Sequence, residues 1–341
     1  MIKHILNNIT MTELDSNKKT ILSDYAINID SNNCPVIFDL RQLFLILGLS
    51  DDENIQIFSG EYSNRYCINK KNGSLREVWQ PSYQVKVIQK WILKSILNKV
   101  PVSDCAHGFV KNKSILTNAQ IHIHENKFWI FSVDIKNFFP SIKINKVEKV
   151  FLDIGYSPSV SNALSLLCTI DGRLVQGFPT SPTLSNLIFK EIDIEFQMIA
   201  ERYQMKYSRY ADDISFSGNQ TKGYTVLVKR VEKIISFILE KHGFKINYRK
   251  TRLLTNNQSR IVTGLMVSSD GVRIPRKYIK KLSRELYYCE KFGVNEHLKY
   301  HGIITIANYR GYLTGLARYI YMVEEEIGAK FIERINELDW Y

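Results

Sequence analysis

The sequence predicts an α+β fold in which helices cover one face of an antiparallel sheet. Three observations predict it. Tyr210-Ala211-Asp212-Asp213 stands between two short alternating stretches, Tyr207-Ser208-Arg209 and Ile214-Ser215-Phe216-Ser217, the pattern of a β-hairpin with two carboxylates at its tip. Trp129-Ile130-Phe131-Ser132-Val133-Asp134-Ile135 is a largely apolar run of strand length. Apolar residues at helical spacing surround both: Val147, Val150, Phe151 and Ile154 in a short helix, Ile188, Ile192, Phe196, Ile199 and Tyr203 in a long one, and Leu227, Val231, Ile234, Ile235 and Ile238 in a third closed near Gly243.

The remaining elements follow in chain order. Residues 1–55 are polar and mixed, ending in a small apolar helix, Leu43 to Leu49, and an Asp51-Asp52-Glu53 break. Tyr66-Cys67-Ile68 and Leu75-Arg76-Glu77-Val78-Trp79 flank Lys70-Lys71-Asn72-Gly73, and Asn-Gly is a strong hairpin signal. Beyond Pro81, Ile88, Trp91, Ile92 and Ile96 keep helical spacing with Ser82 as N-cap. From Arg276 the chain is basic and mostly helical, with Ile279, Leu282, Leu286 and Cys289 on one face.

The 341 residues carry 46 Lys and Arg against 34 Asp and Glu, a net charge of +12. That excess favours a polyanionic partner, nucleic acid first and a membrane surface second. Insertion into a membrane is not expected, because the Leu43–Leu49 run is far short of the ~20 residues a span needs. Met1-Ile2-Lys3-His4 and the Asn-rich stretch after it lack the features of a signal peptide. The 5 cysteines are dispersed without a Cys-x-x-Cys pair, which points to reduced thiols in a cytoplasm and against a zinc site.

Two adjacent carboxylates repel each other unless a cation sits between them, so Asp212 and Asp213 suit a divalent metal. Asp is also common in turns, and the tetrapeptide alone fits turn punctuation equally well. Asp134 adds a third carboxylate at the end of a hydrophobic strand. There it needs a metal, a basic partner or water, unless it merely ends the strand or caps a helix. Together the three form a clamp for two Mg²⁺ ions, which about 3.5–4 Å apart can activate a 3′-hydroxyl and stabilise departing pyrophosphate.

Longer stretches around these residues resemble a known family. Val133-Asp134-Ile135-Lys136-Asn137-Phe138-Phe139-Pro140-Ser141-Ile142 is similar to the first palm motif of reverse transcriptases. Gln176-Gly177-Phe178-Pro179-Thr180-Ser181-Pro182 with Asn186 is similar to the next, Tyr210-Ala211-Asp212-Asp213 to the catalytic one, and Gly243-Phe244-Lys245-Ile246-Asn247 through Lys250-Thr251 to the one after it. The resemblance runs from about Tyr66 onward and narrows to bacterial retron enzymes. Asn118-Ala119-Gln120-Ile121-His122 matches their Asn-Ala-x-x-His signature, and Val262-Thr263-Gly264 their Val-Thr-Gly triplet.

The resemblance implies a right-hand polymerase fold: an N-terminal helical extension of unknown role over 1–55, fingers over 56–130, palm over 131–275 and a helical thumb over 276–341. It implies an RNA-directed DNA polymerase that copies part of a cognate structured non-coding RNA into single-stranded DNA from dNTPs. Priming would come from a guanosine 2′-hydroxyl, giving branched RNA–DNA, within an antiphage defence system that includes an effector protein. Asp134, Asp212 and Asp213 would be catalytic and bind the metals. Arg76, Lys71, Phe139, Gln176, Gly177 and Lys250 would bind the nucleotide, with Phe139 as sugar gate and Lys250 as proton donor to pyrophosphate. Tyr210 would place the primer end, and Asn118, Ala119, His122, Val262, Thr263 and Gly264 would contact the retron RNA.

Ordinary readings stand beside several of these. Phe139 is also a core residue type, Lys71 also suits a solvated hairpin, and Tyr210 a packing site. His122 and His124 alternate and would share one face if they lie on a strand; no third ligand adjoins them, so a metal pair is ranked low. Competing functions are a group II intron or diversity-generating reverse transcriptase, a template-independent polymerase of abortive-infection type, and an RNA-binding scaffold with a relic palm. The Asn-Ala-x-x-His and Val-Thr-Gly segments speak against the first, an experiment omitting template separates the second, and the intact acidic cluster speaks against the third.

Overall fold

A computed structural model describes residues 2–49, 63–69, 73, 75–255, 258–300 and 306–340. Lys71 and the Asp51-Asp52-Glu53 break lie outside the described residues. The chain divides into two compact units, each assembled from three separate stretches. The first comprises Met1–Phe109, Ile135–Met198 and Val231–Asn247; the second comprises Val110–Asp134, Ile199–Arg230 and Tyr248–Tyr341.

In the first unit, helices Ile2–Met11, Ser16–Ser31 and Leu40–Leu47 open the chain, and Asp15 and Asp39 accept hydrogen bonds from backbone N–H groups as N-caps of the latter two. These helices are tied to later sequence. Asn32 donates to the Ile154 carbonyl at 3.1 Å, and the Tyr156 hydroxyl donates to the Pro35 carbonyl at 2.8 Å. Strands β1 (Ser63–Asn69) and β2 (Leu75–Pro81) form the expected antiparallel hairpin, and Ser82 caps helix Tyr83–Ser95 as the sequence indicates. A chain of rings, Phe138, Phe189, Phe196 and Phe244, with successive contacts at 5.4–6.2 Å, fills the interior of this unit.

The second unit holds a four-stranded antiparallel sheet, built from β3 (Trp129–Asp134), β4 (Lys206–Tyr210), β5 (Asp213–Gly218) and β6 (Arg252–Leu254) in the order β4-β5-β3-β6. β3 lies between two partners, so Trp129, Ile130, Phe131 and Val133 are all buried, and a continuous apolar run replaces strict alternation. A smaller meander of β7 (Ile261–Val262), β8 (Leu265–Ser268) and β9 (Gly271–Arg273) precedes helices Arg276–Phe292, Val294–Tyr300, Ile306–Tyr321 and Glu325–Glu337. One core runs through all of these, from Ala119 and Ile130 through Val262 and Leu265 to Leu282, Leu313, Ile335 and Trp340. Among the described residues, no helix is long and apolar enough to cross a membrane.

Candidate active site

Strand register alone brings the carboxylates together. β5 pairs with β4 so that Tyr210 faces Asp213, which leaves Ala211 and Asp212 as the entire turn. β5 also pairs with β3, and there Asp213 faces Asp134. Directly opposed residues of an antiparallel pair have Cβ atoms about 4.5–5.5 Å apart, close enough for like charges to oppose pairing. Ala211 takes φ 56°, a left-handed conformation more often filled by glycine at the first position of such a turn. Buried Arg209 donates from Nη1 to the Ala211 carbonyl at 3.2 Å and so holds the turn from inside.

The electrostatics follow from that geometry. Asp213 keeps one side open to solvent, yet the protein around it removes enough water to disfavour its charge. Loss of hydration, then the fields of Asp212 and Asp134, push its carboxyl up to about 6, against the pull of Lys250 and Arg252. Asp134 is only 5% exposed and receives Lys250 Nζ at 2.6 Å on Oδ2. Burial would lower the Lys250 ammonium, but its hydrogen bond to Asp134 and the three nearby carboxylates outweigh this and raise it. Among the described residues, no three His, Cys, Asp or Glu side chains stand as a preformed metal cage. The donor set nonetheless fits a hard cation: oxygen ligands only, whose mutual repulsion a divalent ion would relieve.

A pH dependence follows. Ionising Asp213 is harder in the folded chain than in the unfolded one, so in chelator stability falls as pH rises from 3.8 through about 6. A cation bound to the ionised group reverses that penalty. The gain in Tm on adding Mg²⁺ is therefore expected to be small at about pH 5 and to grow through about pH 6–7. Equal gains across that range would contradict the assignment of Asp213 as a ligand.

Of the residues expected to bind the nucleotide, Arg76, Phe139, Gln176 and Gly177 lie in the first unit and Lys250 in the second. Phe139 sits in the short helix Phe138–Ser141, launched by Asn137 at φ 50°, with its ring 5.4 Å from that of Phe138 and 6.3 Å from that of Phe109. The Gln176 carbonyl accepts from Trp79 N at 2.8 Å, which docks β2, the strand carrying exposed Arg76, onto this segment. Gly177 has φ 107°, and a Cβ there would stand 2.1 Å from the Trp79 carbonyl oxygen. The close approach that demands glycine here is thus made by the protein's own backbone.

The retron-type segments fall in the second unit, largely inside it. Asn118 and Ala119 belong to helix Ile115–Gln120, capped by Ser114 and Thr117 in a reciprocal box. The alternation of His122 and His124 does not mark a strand: His122 lies in the turn after that helix, and both rings reach Ser217. The side chains of Asn118, Ala119, His122 and Val262 are buried, whereas Gly264 is exposed. Thr263 and Gly264 make a left-handed pair at φ 46° and 87°. Sequence reasoning missed Arg209, Ser208 and Ser217. For the two serines the signal was a row of small hydroxyls in strands where Val, Ile and Thr are the favoured residues.

An antiparallel sheet that delivers acidic side chains from neighbouring strands to one spot, with a lysine at their flank, suits the two-metal chemistry of a nucleotidyl-transferring polymerase. The chain matches the family described as reverse transcriptase (RNA-dependent DNA polymerase) over residues 68–303. It is 33% identical to the retron Ec86 reverse transcriptase of Escherichia coli over 271 residues, 78% of this chain and 83% of that protein. To the retron Mx162 reverse transcriptase of Myxococcus xanthus it is 29% identical over 307 residues, 80% of this chain and 60% of that one. Among solved structures, apo telomerase from Candida tropicalis overlays with TM-score 0.46 and 13% identity, covering 80% of this chain and 62% of its own. The chain belongs to the reverse transcriptase family, in its retron branch, and is an RNA-directed DNA polymerase with the right-hand fold. Divalent metal ions and nucleic acids are the general requirements of that family.

Proposed function

We propose that this polymerase copies part of a cognate structured non-coding RNA into single-stranded DNA, primed from a guanosine 2′-hydroxyl so that the product is branched RNA–DNA. It works in the cytoplasm within an antiphage defence system, beside a separate effector protein. The observation that carries the catalytic part is the pairing of Asp134 with Asp213 across β3 and β5, beside Asp212 at the hairpin tip. Asp134, Asp212 and Asp213 would hold two Mg²⁺ ions. Bound there, the ions would activate the primer hydroxyl and stabilise pyrophosphate as it leaves. Lys250 neutralises the acidic cluster and stands ready to protonate the leaving group, while Tyr210, opposite Asp213, orients the primer end.

Arg76 and Lys71 serve the triphosphate on a fingers hairpin, and Gln176 with Gly177 frames the nucleotide. The division into fingers over 56–130, palm over 131–275 and thumb over 276–341, after an extension over 1–55, belongs to the same proposal. Asn118, Ala119, His122, Val262, Thr263 and Gly264 form the segment through which the cognate RNA is recognised, its buried members shaping the surface that the exposed ones present. Phe139 presses on the sugar: Phe139→Ala should raise incorporation of rNTPs relative to dNTPs by about 10-fold or more, measured by single-nucleotide extension. Unchanged discrimination would remove it from the gate.

RNA affinity should fall roughly 10³-fold between about 50 and 200 mM salt if six or more phosphates are contacted, with log K linear in log salt. A flat response would mean that the net charge of +12 is not directed at phosphates. The deciding experiment is sequencing of nucleic acid that copurifies with the protein, with and without RNase and DNase. A single small RNA joined to a defined DNA, and lost in Asp212→Ala protein, is the expected result. Heterogeneous RNA without DNA, or DNA unrelated to any RNA present, would overturn the retron mode of synthesis.

A further inference from the structure

We propose that His122 is a positioning residue for the polymerase reaction: its ring pins together the two strands of the catalytic hairpin, while Asn118, on the helix just before it, reaches the Val-Thr-Gly turn. The proposal rests on reading Asp212 and Asp213 as metal-binding carboxylates. His122 is fully buried, and its two ring nitrogens each lie 2.8 Å from a serine hydroxyl, Nε2 from Ser208 on β4 and Nδ1 from Ser217 on β5. One rigid ring therefore spans two neighbouring strands through side chains, in addition to their backbone ladder. Side chains repeat every two residues along a strand, so Ser208 shares a face with Tyr210, and Ser217 shares a face with Ser215 and Asp213. The pin thus grips the face that presents the carboxylate, roughly 13 Å away along β5.

Further bonds make the arrangement specific. His124 Nε2 also lies 2.8 Å from the Ser217 hydroxyl. That hydroxyl has one proton to give, so at least one of the two imidazoles must donate its N–H to it, which fixes a tautomer. Burial, then the charges of Lys206 and Arg260, hold His124 down at about 4, so it stays neutral. On the far side, Asn118 Nδ2 stands 3.5 Å from the Thr263 hydroxyl, which donates to the Ile115 carbonyl at 3.1 Å. Among the described residues Asn118 Oδ1 has no hydrogen-bond partner, a penalty that an apolar residue of similar size would avoid. What asparagine contributes here is its link to Thr263.

These contacts join both retron-type segments to the stem of the catalytic hairpin from inside the protein. A displacement of about 1 Å at the carboxylates is enough to cost ~100-fold in rate. The test compares Ser208→Ala and His122→Gln with the parent, using oligo(dT)-primed poly(rA) with dTTP over a Mg²⁺ series. Affinity for the RNA extracted from the purified protein and thermal melting are measured alongside. Both variants should fold, with kcat lowered about 10–100-fold and the Mg²⁺ needed for half-maximal rate raised, and Ser208→Ala should keep RNA affinity within about 2-fold. The double variant should be little worse than the more impaired single one, because both remove one connection. Weakened RNA affinity with unchanged kcat would overturn the proposal in favour of direct RNA contact. Activity that merely tracks the folded fraction, at unchanged Mg²⁺ dependence, would overturn it in favour of plain packing. An Asp212→Ala protein that still extends the primer would instead sink the carboxylate assignment on which the proposal rests.

Discussion

Asp212→Ala protein is expected to fold, to keep its RNA and to lose primer extension by about 10³-fold or more. Asp212 is one of only two residues in the turn between β4 and β5, and the ladder on either side of it needs no aspartate side chain. Removing it also withdraws one of the charges that push Asp213 upward, so Tm in chelator at neutral pH should hold or rise slightly. Loss of rate without loss of stability separates chemistry from folding. The measurement is extension of a primed RNA template with dNTPs, next to a melting curve and a binding isotherm. Residual activity within about 10-fold of the parent would end the assignment of Asp212 as a metal ligand.

Gly177→Val is expected to act in the opposite manner, through structure before chemistry. The position has φ 107°, and its missing Cβ would meet the Trp79 carbonyl at 2.1 Å, so either β2 lifts away or the 176–178 backbone rearranges. Strain and the loss of the Trp79–Gln176 hydrogen bond together should cost roughly 3 kcal/mol, lowering Tm by about 6–12 °C. Because the displaced hairpin carries Arg76, KM for dNTP should rise at temperatures where the variant is still folded. Gly177→Ala should show the same defects in milder form, since it adds the smallest side chain. A Val variant with parental Tm would mean that β2 is not seated on this segment.

Elements built from local pattern were legible in the sequence. The hairpin around Asp212, the β3 strand ending at Asp134, the Ser82 cap and the helices on either side all follow from alternation, apolar spacing and turn chemistry. The meeting of Asp134 with Asp213 could be expected but not placed, because register between β3 and β5 depends on residues some 80 positions apart. His122 was legible as a motif, while its alternation with His124 left open a strand that the structure replaces with a turn. Two-residue alternation also occurs in turns, and no local signal announces serines on distant strands. Gly177 was expected to bind the nucleotide, but no local pattern announced the Trp79 carbonyl that lies against it. The first 55 residues carry no recognisable motif, yet Asn32 and the Pro35 carbonyl join them to Ile154 and Tyr156 by single hydrogen bonds that leave no periodic trace.

The core of the second unit has a consequence for when the enzyme comes into being. β3, with Asp134, is synthesised early, but its partners β5 and β6 and a core that extends to Trp340 come much later. At about 5–20 residues per second, the ribosome makes Trp340 roughly 10–40 s after Asp134, and until then the acidic strand has no finished unit to belong to. Pairings so distant along the chain also close slowly. A nascent chain is therefore not yet a polymerase, and an RNA lying beside the ribosome meets a catalyst only once translation of this core is complete.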